Sequence, residues 1–285
     1  MTRTADLHVH TSWSDGTDSV AELFAAAQAA GLTTLGITDH DTANHWAEAR
    51  TLLPAGMRVL PGTEFSTKHP DDNGELVSVH LLGYLFDGDD PAVVAEWERM
   101  RSERANRGTR IVENLVAAGY PITLDRVREI AGNSAISRPH IGRALLEAGV
   151  VASVGEAFAE LLSENGPYYA PLQSLPLTEG IRLVAAAGGV PVLAHPRARA
   201  AASVLTPEVI AGLVPLGLRG LEVDHPDHGE SARAELAGIA DDLGLLQTGS
   251  SDYHGANKTL RIGQERTRDD VVEQIVALGA AAPFT

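Results

Sequence analysis

The stretch ADLHVHTSWSDGTDSVAELFAAAQAAGLTTLGITDHD, residues 5–41, reads as strand, helix, strand. Ala5 to His10 and Thr33 to Thr38 are short runs rich in apolar and β-branched residues, and Ser19 to Ala30 is helical in pattern. Two strands joined through a helix must lie side by side and parallel, with the helix packed outside the sheet. The same alternation continues outward. Thr42 to Leu53 is helical, and Met57 to Glu64 and Val77 to Tyr84 are strand-like. From Pro91 to about Ala170 the pattern changes to helix throughout: a long amphipathic stretch over Ala92 to Ala118, closed by Gly119, is followed by Leu124 to Ala131, His140 to Ala148 and Gly155 to Leu162. After Pro171 the alternation returns, with strands at Val190 to Ala194, Gly220 to Val223 and Leu246 to Gly249 and helices between and after them. About seven strands result, too many for half of a doubly wound sheet and close to a barrel. Residues 1–90 and 171–285 are therefore expected to form an α/β barrel, interrupted by a helical insertion over 91–170.

The chain has 285 residues, 44 % of them hydrophobic, enough for a substantial core. Its net charge of −16 argues against wrapping an extended nucleic-acid backbone, which needs a basic face. A small anion remains possible, because bound cations reverse the local field. There is no cysteine, which excludes disulfides, thiolate metal sites and cysteine nucleophiles. Met1 to Leu7 is too short and polar for a secretory signal, and no run approaches the ~20 apolar residues of a membrane span. The expected location is the cytoplasm.

Chemistry concentrates at the strand ends. His8 and His10 sit two apart on one strand, so both project to one side. Asp39-His40-Asp41 ends the next apolar strand, Glu64 follows Val59 to Thr63, and His80 lies within Val77 to Tyr84. His195 follows Val190 to Ala194, and Asp252-Tyr253-His254 follows the strand ending near Thr248. Parallel barrels present their sites on this rim. Six histidines gathered there with several carboxylates would be costly without a cation. Mixed imidazole and carboxylate ligands suit zinc, manganese or iron.

These segments resemble the polymerase and histidinol phosphatase (PHP) superfamily, through DLHVHTSWSDG at 6–16, GITDHD at 36–41, GTEFS at 62–66, VHLLGY at 79–84, AHP at 194–196 and GSSDYH at 249–254. The motifs keep the family order and span nearly the whole chain. Ile136-Ser137-Arg138-Pro139-His140 is similar to a motif in the helical insertion of the stand-alone phosphoesterases, among them a nucleotide bisphosphate phosphatase and 5′-end exoribonucleases. The resemblance implies a distorted (β/α)7 barrel with a site for two to three divalent ions. It implies that His8, His10, Glu64 and Asp252 hold one metal, Asp15, His40 and His254 a second, and that Glu64 bridges to a third shared with His80 and His195. Asp39 would orient a ligand from behind.

The implied activity is hydrolysis of phosphate esters of nucleotides or short oligonucleotides, a small phosphorylated partner, by a metal-bridging hydroxide. Arg138 would neutralise phosphoryl oxygens, and His195, Asp252 or a water would protonate the leaving alkoxide. Ser137, as helix N-cap, and His140 would lie beside the substrate. Arg138 could instead only serve the helix that begins near Pro139. His225 and His228 each offer a phosphate contact, or else belong to a solvated loop. Two features depart from the family. Gly166, in Asn165-Gly166-Pro167-Tyr168-Tyr169, stands where bisphosphate phosphatases carry a lysine, which puts bisphosphate specificity in question. His45 and His69, in a helix and a polar loop, receive no role. Alternative readings are a phosphatase of a non-nucleotide monoester, a C–N hydrolase and a non-catalytic metal-binding module. Against the C–N reading, Glu64 occupies the bridging position where a carboxylated lysine would otherwise stand.

Overall fold

The computed structural model describes residues 2–132, 135–163, 166–198 and 200–285; Asn165 lies outside them. Among the described residues the strands are β1 (Ala5–Val9), β2 (Thr34–Ile37), β3 (Arg58–Pro70), β4 (Leu76–Tyr84), β5 (Leu175–Pro176), β6 (Val190–Leu193), β7 (Gly220–Asp224) and β8 (Leu246–Gly249). They form one sheet in the order β1-β2-β3-β4-β6-β7-β8, with the two-residue β5 beside β3. The sheet curls into a nearly closed barrel, where Val9 at the end of β1 bridges Tyr253 just beyond β8.

One strand corrects the expectation of a parallel sheet. β4 is antiparallel to both of its neighbours, β3 and β6, whereas the other neighbouring strands on the path run parallel. The cause is local. β3 does not end near Glu64 but continues to Pro70, and a turn over residues 71–75 returns the chain as β4. Asp71 Oδ1 accepts the N–H groups of Asn73 (2.9 Å) and Glu75 (2.8 Å), and Gly74 takes a φ of +84°. That Asp-Asp-Asn-Gly stretch is a hairpin signal, because its central positions favour tight turns. His69, expected in a polar loop, is consequently a β3 residue.

Strand approach in the barrel is close enough to demand glycine at one position. A Cβ on Gly36 of β2 would stand 2.4 Å from the carbonyl oxygen of Leu7 on β1. Both strands are buried along their whole length, consistent with helices on the outer face. The helix α1 (Val20–Ala29) starts with a capping box in which Ser19 and Glu22 satisfy each other's backbone N–H groups. It buries Leu23, Phe24 and Ala27 against β1 and β2, ahead of the shorter α2 (His45–Leu52).

The insertion hangs on one helix. α3 (Pro91–Ala117), about 40 Å long, is capped by Asp90 and has Pro91 in its first turn. Its first half packs on the barrel core through Val93 and Trp97. Its second half joins α4 (Leu124–Ala131), α5 (Arg138–Glu147) and α6 (Val154–Glu160) around a separate apolar cluster that includes Ile111, Leu115, Val127, Ile141 and Leu145. Arg99 and Arg107 of α3 donate to the carbonyls of Gln173 (2.7 Å) and Ala170 (2.6 Å), fixing where the chain re-enters the barrel. Among the described residues no helix is long and apolar enough to cross a membrane.

Candidate metal centre and substrate cavity

His8 near the end of β1 and His10 just past it come together, their Nε2 atoms 3.1 Å apart and both rings fully buried. Glu64 stands between them and the opposite wall. Its Oε2 lies 3.2 Å from His8 Nε2, 3.1 Å from His10 Nε2 and 3.2 Å from His40 Nδ1. Its Oε1 lies 2.7 Å from His80 Nδ1 and 3.2 Å from His195 Nε2. The two oxygens of one buried carboxylate thus face two separate sets of imidazoles. Asp252 directs Oδ1 at His8 and His10, 3.5 Å from each Nε2. Asp15 lies 3.3 Å from His254 Nε2 and 3.8 Å from His40 Nε2.

Among the described residues, three clusters have donor atoms close enough to share an ion: His8, His10 and Asp252; His10, Asp15, His40 and His254; and His40, Glu64 and His80. The structure brings all nine expected ligand residues into one patch. Their grouping differs from the expected partition, because His10 and His40 each stand between two clusters.

The donor set fits divalent metal. Burial favours neutral imidazole, yet the carboxylates of Asp252 and Glu64 outweigh it at His10 and lift its pKa to about 9. Burial prevails at His40 and His195 and pulls them down to about 3 and about 4. Neighbouring rings at such different protonation make an awkward all-proton site, and His40 Nδ1 is buried without a hydrogen-bond partner among the described residues. A cation sharing these lone pairs would resolve both features. Among the described residues, three of the four non-glycine residues with positive φ also fall here: Asp41 (52°), His195 (31°) and Asp252 (51°). Backbone strain of this kind collects where a side chain must be aimed.

A ring of supporting groups holds the ligands. Glu222 of β7, given no role from sequence, places Oε1 3.2 Å from His8 Nδ1, and its Oε2 accepts the His195 backbone N–H at 2.7 Å. Burial opposes its charge, but His8 and His225 beside it hold its carboxyl down at about 2. Its signal was a carboxylate inside an otherwise apolar strand. Asp39 acts less directly than expected. It accepts from Thr11 N–H (2.8 Å) and the Ser14 hydroxyl (2.6 Å), and reaches His10 only through Ser14. His45 is buried as its partner, 3.0 Å from Asp39, with Nε2–H donating to the Ile37 carbonyl. Asp6, pushed up to about 6 by burial, accepts from Ser251 and from the Gly263 N–H, tying β1 to the loop that carries Asp252.

Two cations not singled out from sequence complete the rim. Arg104 of α3 donates from Nε (2.8 Å) and Nη2 (2.5 Å) to Asp41, next to His40, and from Nη2 to Ser66 Oγ at 2.6 Å. Lys258 Nζ meets the outer oxygen of Asp252.

A cavity of about 590 Å³ opens over this imidazole and carboxylate cluster, between the barrel rim and the insertion. Arg104, Arg107, Arg138, Lys68 and Lys258 all line it, so a chain of net charge −16 presents a cationic pocket. Arg138 donates to the Leu162 carbonyl at 3.2 Å and lies over the Phe158 ring, while its neighbour Ser137 also lines the cavity at the start of α5. His140 is buried behind them, its Nδ1 accepting the Ser137 N–H at 3.1 Å, and is absent from the lining. His225 is buried rather than solvated, with Nε2 3.6 Å from Asp252. His228 is also buried, with both nitrogens engaged: Nδ1–H donates to the Val223 carbonyl and Nε2 accepts the Arg197 N–H. A second, smaller cavity of about 210 Å³ shares Asp15, His40, Arg104 and Ser137 with the first.

An α/β barrel that gathers imidazoles and carboxylates on its rim is the architecture of a metal-dependent hydrolase. The PHP domain family matches residues 6–154, and the chain belongs to that family. A protein from Bifidobacterium adolescentis assigned as a metal-dependent phosphoesterase is 35 % identical, with a TM-score of 0.91 over 98 % of each chain. The 5′-3′ exoribonuclease of Haemophilus influenzae is 28 % identical over 97 % of this chain and 98 % of its own. The 3′,5′-nucleoside bisphosphate phosphatase of Chromobacterium violaceum is 30 % identical over 87 % of this chain and 86 % of its own. The protein is a metal-dependent phosphoesterase.

Proposed function

We propose that the substrates are nucleotides or short oligonucleotides, hydrolysed at a phosphate ester over two to three divalent ions held by His8, His10, Asp15, His40, Glu64, His80, His195, Asp252 and His254. The observation that carries this reading is Glu64, whose two oxygens face separate imidazole sets at the floor of a cationic cavity. Manganese, zinc or iron bound there would polarise the phosphoryl group and supply a water of lowered pKa.

The protein's own groups do the rest. Arg138 and Lys258 bind the anionic oxygens of the ester, and the helical insertion closes over it as a lid. Gly166 withholds the lysine that a second phosphate would use, so a single phosphate group is the expected requirement. Glu222 fixes the His8 ring and the His195 backbone, leaving the Nε2 atoms of both histidines facing inward. The leaving oxygen is protonated from the His195 and Asp252 side of the cavity.

Incubating manganese-, zinc- or iron-loaded protein with nucleoside monophosphates, a 3′,5′-bisphosphate and 5′-phosphorylated oligoribonucleotides tests the proposal. Release of phosphate or mononucleotide is the expected result. Turnover confined to non-nucleotide esters would refute it.

A further inference from the structure

We propose that the smaller cavity is a nucleobase subsite, and that the preferred substrate is therefore a phosphodiester with a nucleoside on each side of the scissile phosphorus. The proposal rests on the phosphoesterase reading for its chemistry. Its own support is the arrangement of the two cavities. They are lined differently but meet at Asp15, His40, Arg104 and Ser137, beside the metal cluster. A phosphomonoester carries one organic substituent and needs one cavity. A diester carries two, diverging from phosphorus, and needs a cavity for each.

The lining of the smaller cavity fits a base. At about 210 Å³ it falls below the roughly 300–1,000 Å³ of sites for drug-sized ligands, so it accepts a ring system rather than a whole nucleotide. Trp13 lines it two residues before Asp15, and its indole N–H donates to Glu48 Oε2 at 2.7 Å. That bond holds the ring in place, and the part of the indole that lines the cavity is the stacking surface of the proposal. Asn44 and Glu98 offer an amide and a carboxylate to the edge of a stacked base, while Val94 supplies apolar wall. Arg101 of α3 also lines the cavity and has no hydrogen bond or ion pair among the described residues. Its guanidinium is available for the next phosphate of a chain that continues outward. Trp13 comes from the barrel and Arg101 from the insertion's anchor helix, so the subsite exists only when both are assembled.

The test compares binding of manganese-loaded protein to a nucleoside 5′-phosphate and to a 5′-phosphorylated dinucleotide with a phosphorothioate linkage. Wild type should bind the dinucleotide about 5–100-fold more tightly, the effect of one stacked base. Trp13→Ala should erase most of that advantage and Trp13→Phe should keep it. Arg101→Ala, an exposed change with no partner to lose, should lower the affinity for a trinucleotide relative to the dinucleotide and so reads the cavity even if Trp13→Ala misfolds. Equal affinity of wild type for the mono- and dinucleotide, or an advantage that survives Trp13→Ala, would overturn the subsite. Cleavage of unmodified substrates is followed in parallel. A dinucleotide advantage in protein that hydrolyses no phosphate ester would uphold the subsite and refute the phosphoesterase reading, so the two failures are separable.

Discussion

Lys258 Nζ lies 2.5 Å from Oδ2 of Asp252, while Oδ1 of the same carboxylate faces the Nε2 atoms of His8 and His10. One carboxylate therefore joins the buried imidazole cluster to a cation that lines the larger cavity. Replacing Lys258 with Met should leave metal content intact, because Oδ1 is untouched. Turnover should fall about 10–100-fold through loss of a charged donor near the developing charge. Metal analysis alongside steady-state kinetics checks this, and loss of metal with activity would assign Lys258 to the metal site instead.

Glu222 offers a sharper separation between ligand and support. Glu222→Gln keeps the size but weakens the hold on His8 and on the His195 backbone. Metal affinity is expected to drop about 10–100-fold with the fold preserved. Titration against a chelator-buffered metal series reads this directly, and an unchanged affinity would refute the orienting role.

The Arg104–Asp41 pair should matter for stability. Both side chains are shielded from water, at 14 % and 3 % exposure. Removing one partner leaves a buried charge uncompensated, at a cost of about 3–5 kcal/mol. Arg104→Met alone should lower urea resistance by that order, and Arg104→Met with Asp41→Asn should lose less than the sum of the single changes. Additive losses in a double-mutant cycle would show that the pair is not coupled.

Metal loading should release protons. His8 is held well above the ordinary histidine value and His10 at about 9, because the carboxylate charges around them outweigh burial. Near pH 7 this facing pair of rings is therefore expected to hold at least one proton in the metal-free protein, and ligation requires neutral imidazole. Titration calorimetry in buffers of different ionisation enthalpy should report a net release of protons on metal binding. Affinity should fall as the pH is lowered, since protons compete for the same nitrogens. A release near zero would mean that these two rings are neutral before metal arrives.

The barrel and its rim were legible because β-then-α alternation is periodic in the sequence and His8, His10, His40 and Asp252 lie at or just past strand ends, whereas Glu64 lies inside the long β3. The reversal of β4 was legible only in hindsight, from Asp71 to Gly74, because a turn signal does not say which strand it reverses. Arg104 and Lys258 were not legible. On a helix or in a loop an isolated basic residue reads as a solvated side chain, and only the fold brings Asp41 and Asp252 within reach. Glu222 was visible as a carboxylate among apolar residues of β7, but its direction across the barrel to His8 was not. His140 and His228 illustrate the converse, since their ring nitrogens are engaged by Ser137, Val223 and Arg197.

Because Glu64 presents one oxygen to His8, His10 and His40 and the other to His80 and His195, the two halves of the centre have a common hinge. Ions bound on either side of Glu64 would share one carboxylate, so occupancy of one side is expected to change the affinity of the other. Activity plotted against metal concentration checks this, and a curve that independent sites describe would rule the coupling out.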